Sequence, residues 1–294
     1  MNKISPILLG LSLAVAGSSM AAAQQNASMP KVLQITREFI KPYKSGAAHD
    51  KTESAFIAAM NKAKFPAYYL GLDSLSGKSR ALFLTGYDSF ETWEKDNKIV
   101  DKNPALAADL ERASIADGEL LDEVDSGVFT YDEDLSYRPH ADISHARYFE
   151  ITEFHIRLGH TGDWHKLTKM YKEAQEKAGT SAHWATYEVA YGAADGTYLS
   201  ISGDRSMTEI DTGFGEDSKK FLAALGEDGM KKLDELYGAT VESANTQLFA
   251  INPKQSYVSP DTIKADPEFW SPKPAARPAA APAAKPAAAE KKTP

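Results

Sequence analysis

Ile35-Thr36-Arg37-Glu38-Phe39-Ile40 and Ile151-Thr152-Glu153-Phe154-His155-Ile156 are the two stretches whose likeness decides the fold. Each mixes β-branched, aromatic and charged positions, the composition of a half-buried strand. A second matched pair follows in the same order. Val128-Phe129-Thr130-Tyr131, with Ser136-Tyr137 after it, corresponds to Leu248-Phe249-Ala250-Ile251, with Ser256-Tyr257 after it. Two ordered anchors whose separation drifts by a few residues indicate an internal repeat.

The elements between the anchors agree as well. Lys44-Ser45-Gly46 and His160-Thr161-Gly162 precede helices expected over 47–64 and 163–177. Asp163 is the expected N-cap, Trp164, Leu167, Tyr171, Ala174 and Ala178 form the apolar stripe, and Gly179 is placed to stop the helix. In the first helix Phe56, Ala59, Met60 and Ala63 are expected to do the same work. Strands over 67–72 and 80–87 match 183–191 and 197–203, each pair joined by a short turn into a hairpin. Longer helical regions begin at Phe90 and Met207, and Asn103-Pro104 restarts the first of them. The class is α+β, two tandem units of ferredoxin-like βαββαβ order.

Residues 1–23 carry Lys3, an apolar run over 4–16 and the small residues Ala21-Ala22-Ala23, the layout of a signal peptide cleaved before Gln24. The apolar run is short of the roughly 20 residues a spanning helix needs, and no later stretch is apolar enough to span a membrane. The expected location is periplasmic or secreted. A chain with no cysteine has neither disulfides nor thiolate ligands, so burial alone must hold it together. Residues 24–30 form a short mature N-terminal segment. The units occupy 31–139 and 146–260, separated by a linker at 140–145, and an extension at 261–270 leads into a Pro/Ala/Lys-rich tail at 271–294. That tail has no large apolar side chain to bury and reads as a disordered, mildly basic arm suited to contact with anionic envelope polymers. With the tail basic and the whole chain at −8, the body is more acidic than the total, which argues against nucleic-acid binding.

With its long, bent second helical region and a last strand ending beside an aromatic, as in Leu135-Ser136-Tyr137-Arg138-Pro139, the chain resembles the dimeric α/β-barrel superfamily. NIPSNAP-like and antibiotic-biosynthesis-monooxygenase-like proteins are the most similar in appearance. The resemblance covers about Lys31 to Val258. It implies an intrachain pseudo-dimeric barrel with a ligand cleft between sheet and helices, and it allows cofactor-free oxygenase chemistry or haem binding through a histidine of the second unit, His155, His165 or His183.

No phosphate-cradling loop, nucleophile elbow or metalloprotease helix is present. Gly213-Phe214-Gly215 is too short for a nucleotide loop and reads as a break between helical pieces. Five of the seven histidines lie between His140 and His165, but their spacing converges on no face of a strand or helix, so no metal site and no cofactor are expected from spacing. Without gaps His49 aligns with His165, but the apolar stripes match better with a slip of one, pairing Phe56 with Tyr171 and Ala59 with Ala174. Glu38 and Glu150 occupy equivalent faces of the first strands. If that face lines the space between the two sheets, both become proton-acceptor candidates, with His155 and His183 beside them. Tyr68, Trp184, Tyr187 and Tyr198 are candidates for holding a small apolar or aromatic ligand. Three readings stay open: a small-molecule-binding module, an oxygenase-like enzyme, and a structural or stress-related envelope protein.

Overall fold

The computed structural model describes residues 28–44, 46–139 and 142–271. The expected signal segment, the tail beyond 271 and part of the 140–145 linker lie outside these residues. The first half runs β1 (Val32–Ile40), α1 (Gly46–Ala63), β2 (Tyr69–Ser74), β3 (Arg80–Tyr87), α2 (Phe90–Asp101), α3 (Pro104–Gly118) and β4 (Leu121–Tyr137). The second runs β5 (Tyr148–Ile156), α4 (Thr161–Ala178), β6 (Trp184–Tyr191), β7 (Thr197–Asp204), α5 (Met207–Thr212), α6 (Ser218–Thr240) and β8 (Val241–Ile251). Short helices α7 (Pro260–Ala265) and α8 (Pro267–Trp270) follow.

All eight strands close into one antiparallel barrel in the order β1-β3-β2-β8-β5-β7-β6-β4. The registers of the halves repeat. Ile35 faces Gly127 and Leu84, as Ile151 faces Gln247 and Ile201. The register shift after Phe39 recurs after His155. Closure repeats too, with Leu72 opposite Ile251 on one seam and Tyr187 opposite Tyr131 on the other. The matched Ser-Tyr anchors have a physical role at these seams. Ser136 Oγ donates to the Asp132 carbonyl at 2.5 Å and accepts the Thr186 N–H at 2.8 Å. Ser256 Oγ donates to the Asn252 carbonyl at 2.8 Å and accepts the Gly71 N–H at 2.9 Å.

Strand alternation sorts the side chains into two layers. Leu33, Ile35, Leu84, Ile151, Leu199 and Phe249 point inward and fill the barrel, so the space between the two sheets is packed. Trp270 of α8 joins this core and donates Nε1–H to the Ser144 carbonyl at 2.9 Å, while Arg147 ion-pairs with Asp266. The opposite strand faces meet the helices. Glu38 and Glu150 stand there, contrary to the expectation that their face lines the inter-sheet space: Leu33, Ile35, Phe149 and Ile151 take the inward positions.

Three local expectations are corrected. Helix α4 starts before Asp163; its N-cap is His160, and Asp163 sits in the first turn bonded to His160 Nδ1 at 3.1 Å and Lys166 Nζ at 2.9 Å, where its charge favours the helix N-terminus. The turn Gly213–Asp217 is π-helical and continuous with its neighbours, whereas the real break lies at Gly226, whose φ of 67° interrupts α6. Helix α1 buries His49, Glu53 and Ala59, while Phe56, Met60 and Ala63 are only partly covered. Among the described residues no helix is long and apolar enough to cross a membrane.

Candidate functional site

The clefts between sheet and helices differ between the two halves. In the second half a cavity of about 610 Å³ opens between the outer face of β5, β7 and β6 and helices α4 to α6. Aromatic rings line it from both the sheet and the helices. Trp184 leads β6 with its ring 5.0 Å from Tyr137 and its Nε1–H donated to the Leu135 carbonyl at 2.9 Å. Tyr171 of α4 stands edge-on to it and 4.5 Å from Phe221 of α6. The sheet side is acidic around Trp184, because Glu150, Ser202 and Asp204 share the outer face of the paired strands β5 and β7, and Trp184, two residues before Thr186 of the neighbouring β6, stands on that same face. Burial raises the Glu150 carboxyl above its ordinary value and the Asp204 charge adds to this, against the opposing pull of His183. Burial likewise raises Asp204, opposed by His183 and reinforced by Glu209. Asp204 is 6% exposed, and its Oδ2 has no hydrogen-bond partner. His183 stands beside this pair, its ring nitrogens each 3.1 Å from a backbone carbonyl, Ser181 on one side and Gly203 on the other. At the floor Asp217 accepts from the Ser181 hydroxyl at 2.6 Å and N–H at 2.8 Å; these bonds outweigh its burial and hold its carboxyl low.

This lining is a poor fit for haem. Asp142, Glu150, Asp204, Glu209 and Asp217 outnumber Arg205, which is itself bonded to Asp142 at 3.1 Å, so propionates would meet negative charge. The His183 nitrogens face carbonyls rather than open space.

In the first half the corresponding cleft holds a buried polar cluster. Glu38 comes from the outer face of β1, His49 and Glu53 from one face of α1 a turn apart, and Asp117 from the last turn of α3. His49 Nε2 lies 3.0 Å from Glu38 Oε2, 3.5 Å from Asp117 Oδ1 and 3.9 Å from Glu53 Oε1. Thr52 Oγ1 stands 2.5 Å from Asp117 Oδ1, placed to donate to it. Burial would lower the His49 imidazole, but its bond to Glu38 and the charges of Asp117, Glu38 and Asp73 raise it. Glu53 is pushed up to about 9 by burial and by the charges of Glu38 and Asp117.

The other sequence candidates scatter. His155 pairs with Glu153 at 3.1 Å on a part-exposed edge and lines neither cleft. Tyr68 and Tyr187 border a smaller apolar cavity of about 320 Å³ near α7. Tyr198 is buried between α4 and the sheet, donating to Glu188 Oε1 at 2.8 Å, and borders neither cavity. Only Glu150, His183 and Trp184 come together in the large cavity. The readable signal was His49 and Glu53, four residues apart on the helix face where the second half carries Trp164 and Thr168. Asp204 and Asp117 have no such signal, because each is the one acidic group that its own element gives to its cluster.

The chain has the dimeric α/β-barrel fold. A protein from Fusobacterium nucleatum subsp. nucleatum, described as a "putative monooxygenase", superposes with a TM-score of 0.50 at 7% identity, over 76% of this chain and 93% of that one. An anthrone oxidase-like protein gives 0.49 at 11% identity, over 78% and 94%. A mutant chlorite dismutase from Candidatus Nitrospira defluvii gives 0.46 at 8% identity, over 83% and 97%. No protein-family model and no curated protein sequence matches the chain.

Proposed function

We propose that the protein binds a small aromatic molecule carrying a cationic group, in the cavity of its second half. The observation that carries this reading is Asp204, buried with an unpartnered carboxylate oxygen and standing with Glu150 and Trp184 on the sheet face of the cavity, across from Tyr171 and Phe221 of the helices. Leaving such an oxygen unpaired costs about 1–3 kcal/mol, which an ammonium donor would recover, and the aromatic faces favour the same charge. The acidic body draws cations toward the site.

The reading includes the finer organisation. The halves, 31–139 and 146–260, are two tandem ferredoxin-like copies whose fusion makes the pseudo-dimer internal and lets the clefts diverge. The repeated registers and the paired Ser136 and Ser256 seams support it. It also includes export through residues 1–23 and an envelope-directed tail, both resting on composition alone.

Calorimetric titration of the full chain with 1-naphthylmethylamine and with 1-naphthylmethanol tests the ligand class. The amine is expected to bind at least ten-fold more tightly, and Asp204→Asn to abolish the difference. Equal binding of both, or of neither, would refute the reading.

A second reading follows from the raised Glu150 and Asp204 pair: a carboxyl tuned upward can take a proton from a bound carbon acid, the first step of cofactor-free oxygenase chemistry. It expects oxygen consumption with an anthrone or phenol substrate that Glu150→Gln removes; consumption unchanged in that variant would exclude Glu150 as the base.

A further inference from the structure

We infer that Glu38, His49, Glu53 and Asp117 form a binding site for one divalent first-row metal ion, in the first-half cleft and separate from the cavity proposed to hold the organic ligand. The ligand atoms, one from each residue, lie within 4.8 Å of one another. The spacing suits an ion. Metal–nitrogen and metal–oxygen bonds of about 2.1 Å place neighbouring ligands of a tetrahedral site about 3.4 Å apart. His49 Nε2 lies 3.0, 3.5 and 3.9 Å from one oxygen of each of the three carboxylates, so an ion at their centre needs only small side-chain adjustments.

An acidic cluster alone would not establish this. The pointer to a ligand is Glu53, 3% exposed, with Oε1 turned toward His49 yet without a hydrogen-bond partner. Among the described residues no lysine or arginine pairs with Glu38, Glu53 or Asp117, so three carboxylates converge with only an imidazole between them. A divalent cation supplies the missing positive charge and gives the Glu53 oxygen a partner. The Thr52 hydroxyl, placed to donate to Asp117 Oδ1, would help to orient that carboxylate, the usual support for a metal ligand.

The second half shows that the fold has no need of these groups. The place of Glu38 is taken there by Phe154, and those of His49 and Glu53 by Trp164 and Thr168, with the Phe154 and Trp164 rings packed 5.0 Å apart. An apolar solution was available to this cleft, and the first half carries the polar one. One nitrogen and three oxygens form a set for Zn²⁺, Mn²⁺, Fe²⁺ or Co²⁺, harder than a thiolate site.

Chelator-treated, dialysed full-length protein titrated with Co²⁺ and Zn²⁺ tests the assignment. The expected result is one ion per chain, Co²⁺ giving a visible d–d band that Zn²⁺ displaces, with affinity at least 100-fold weaker in His49→Gln and Asp117→Asn. His155→Ala removes a surface His–Glu pair and should leave the stoichiometric ion in place. Should the cluster variants fail to fold, ring resonances of the wild type decide: bound Co²⁺ must shift His49 most strongly among the histidines. No stoichiometric binding, binding retained in the folded cluster variants, or shifts confined to surface histidines would overturn the site. None of these results depends on whether the second-half cavity takes an amine.

Discussion

Replacing Glu53 by glutamine isolates the electrostatic burden of the buried cluster. The side chain keeps its shape but loses its charge. In the unfolded chain the Glu53 carboxyl gives up its proton near 4.5, and in the folded, metal-free protein it holds it to about 9, first because it is buried and then because Glu38 and Asp117 lie beside it. Between those values the native state binds the extra proton, so stability falls as pH rises. Each pH unit above 4.5 costs about 1.4 kcal/mol. At pH 7 this amounts to about 3 kcal/mol, an upper figure because neighbouring groups relax. Urea unfolding of chelator-treated wild type and Glu53→Gln at pH 4.5, 7 and 9 reads it directly. The two should agree within about 1 kcal/mol at pH 4.5, the variant should be more stable by about 2–3 kcal/mol at pH 7, and the gap should widen toward pH 9. A gap that does not change with pH would refute the reasoning, because it would mean that Glu53 ionises alike in both states.

Other substitutions probe the frame. Gly71→Ala would place a Cβ 2.5 Å from the Gln255 carbonyl oxygen, and the backbone there cannot yield cheaply; a loss of about 2–4 kcal/mol by thermal or urea unfolding is expected. Ser136→Ala and Ser256→Ala remove equivalent hydroxyls at the two barrel seams, so each should cost about 1–3 kcal/mol and by similar amounts in urea. Trp270→Ala empties a site in the barrel core and breaks the bond to Ser144, with about 3–5 kcal/mol of destabilisation expected from the same measurement.

The fold was legible because its signals are local and occur twice. The Ile35 and Ile151 strands, the helix starts at Phe90, Met207 and Pro104, and the stop at Gly179 all stand where composition and capping chemistry place them. Ser136-Tyr137 and Ser256-Tyr257 matched in sequence because they perform the same seam closure. Which face of β1 meets the helices was not legible, because period two tells which residues share a side but not where that side points; Glu38 lies in the helix layer and Leu33 in the barrel. Tyr187 and Tyr198 looked equivalent to Trp184 for the same reason, yet strand parity sends Tyr187 inward and places Tyr198 behind α4. The buried cluster was hidden by its assembly from β1, α1 and α3, which are distant in sequence. On α1 a helix face that buries histidine and glutamate reads as solvent-facing until a partner helix is known.

Occupation of the second-half cavity is open to one direct observation. The chain has four tryptophans, and only Trp184 lines that cavity. With 5-fluorotryptophan incorporated, saturating 1-naphthylmethylamine should shift the Trp184 fluorine resonance and leave those of Trp93, Trp164 and Trp270 nearly fixed, and Asp204→Asn should suppress the shift. A Trp184 resonance unmoved at saturation, or a response centred on Trp270 or Trp93, would contradict the assignment of the cavity as the binding site.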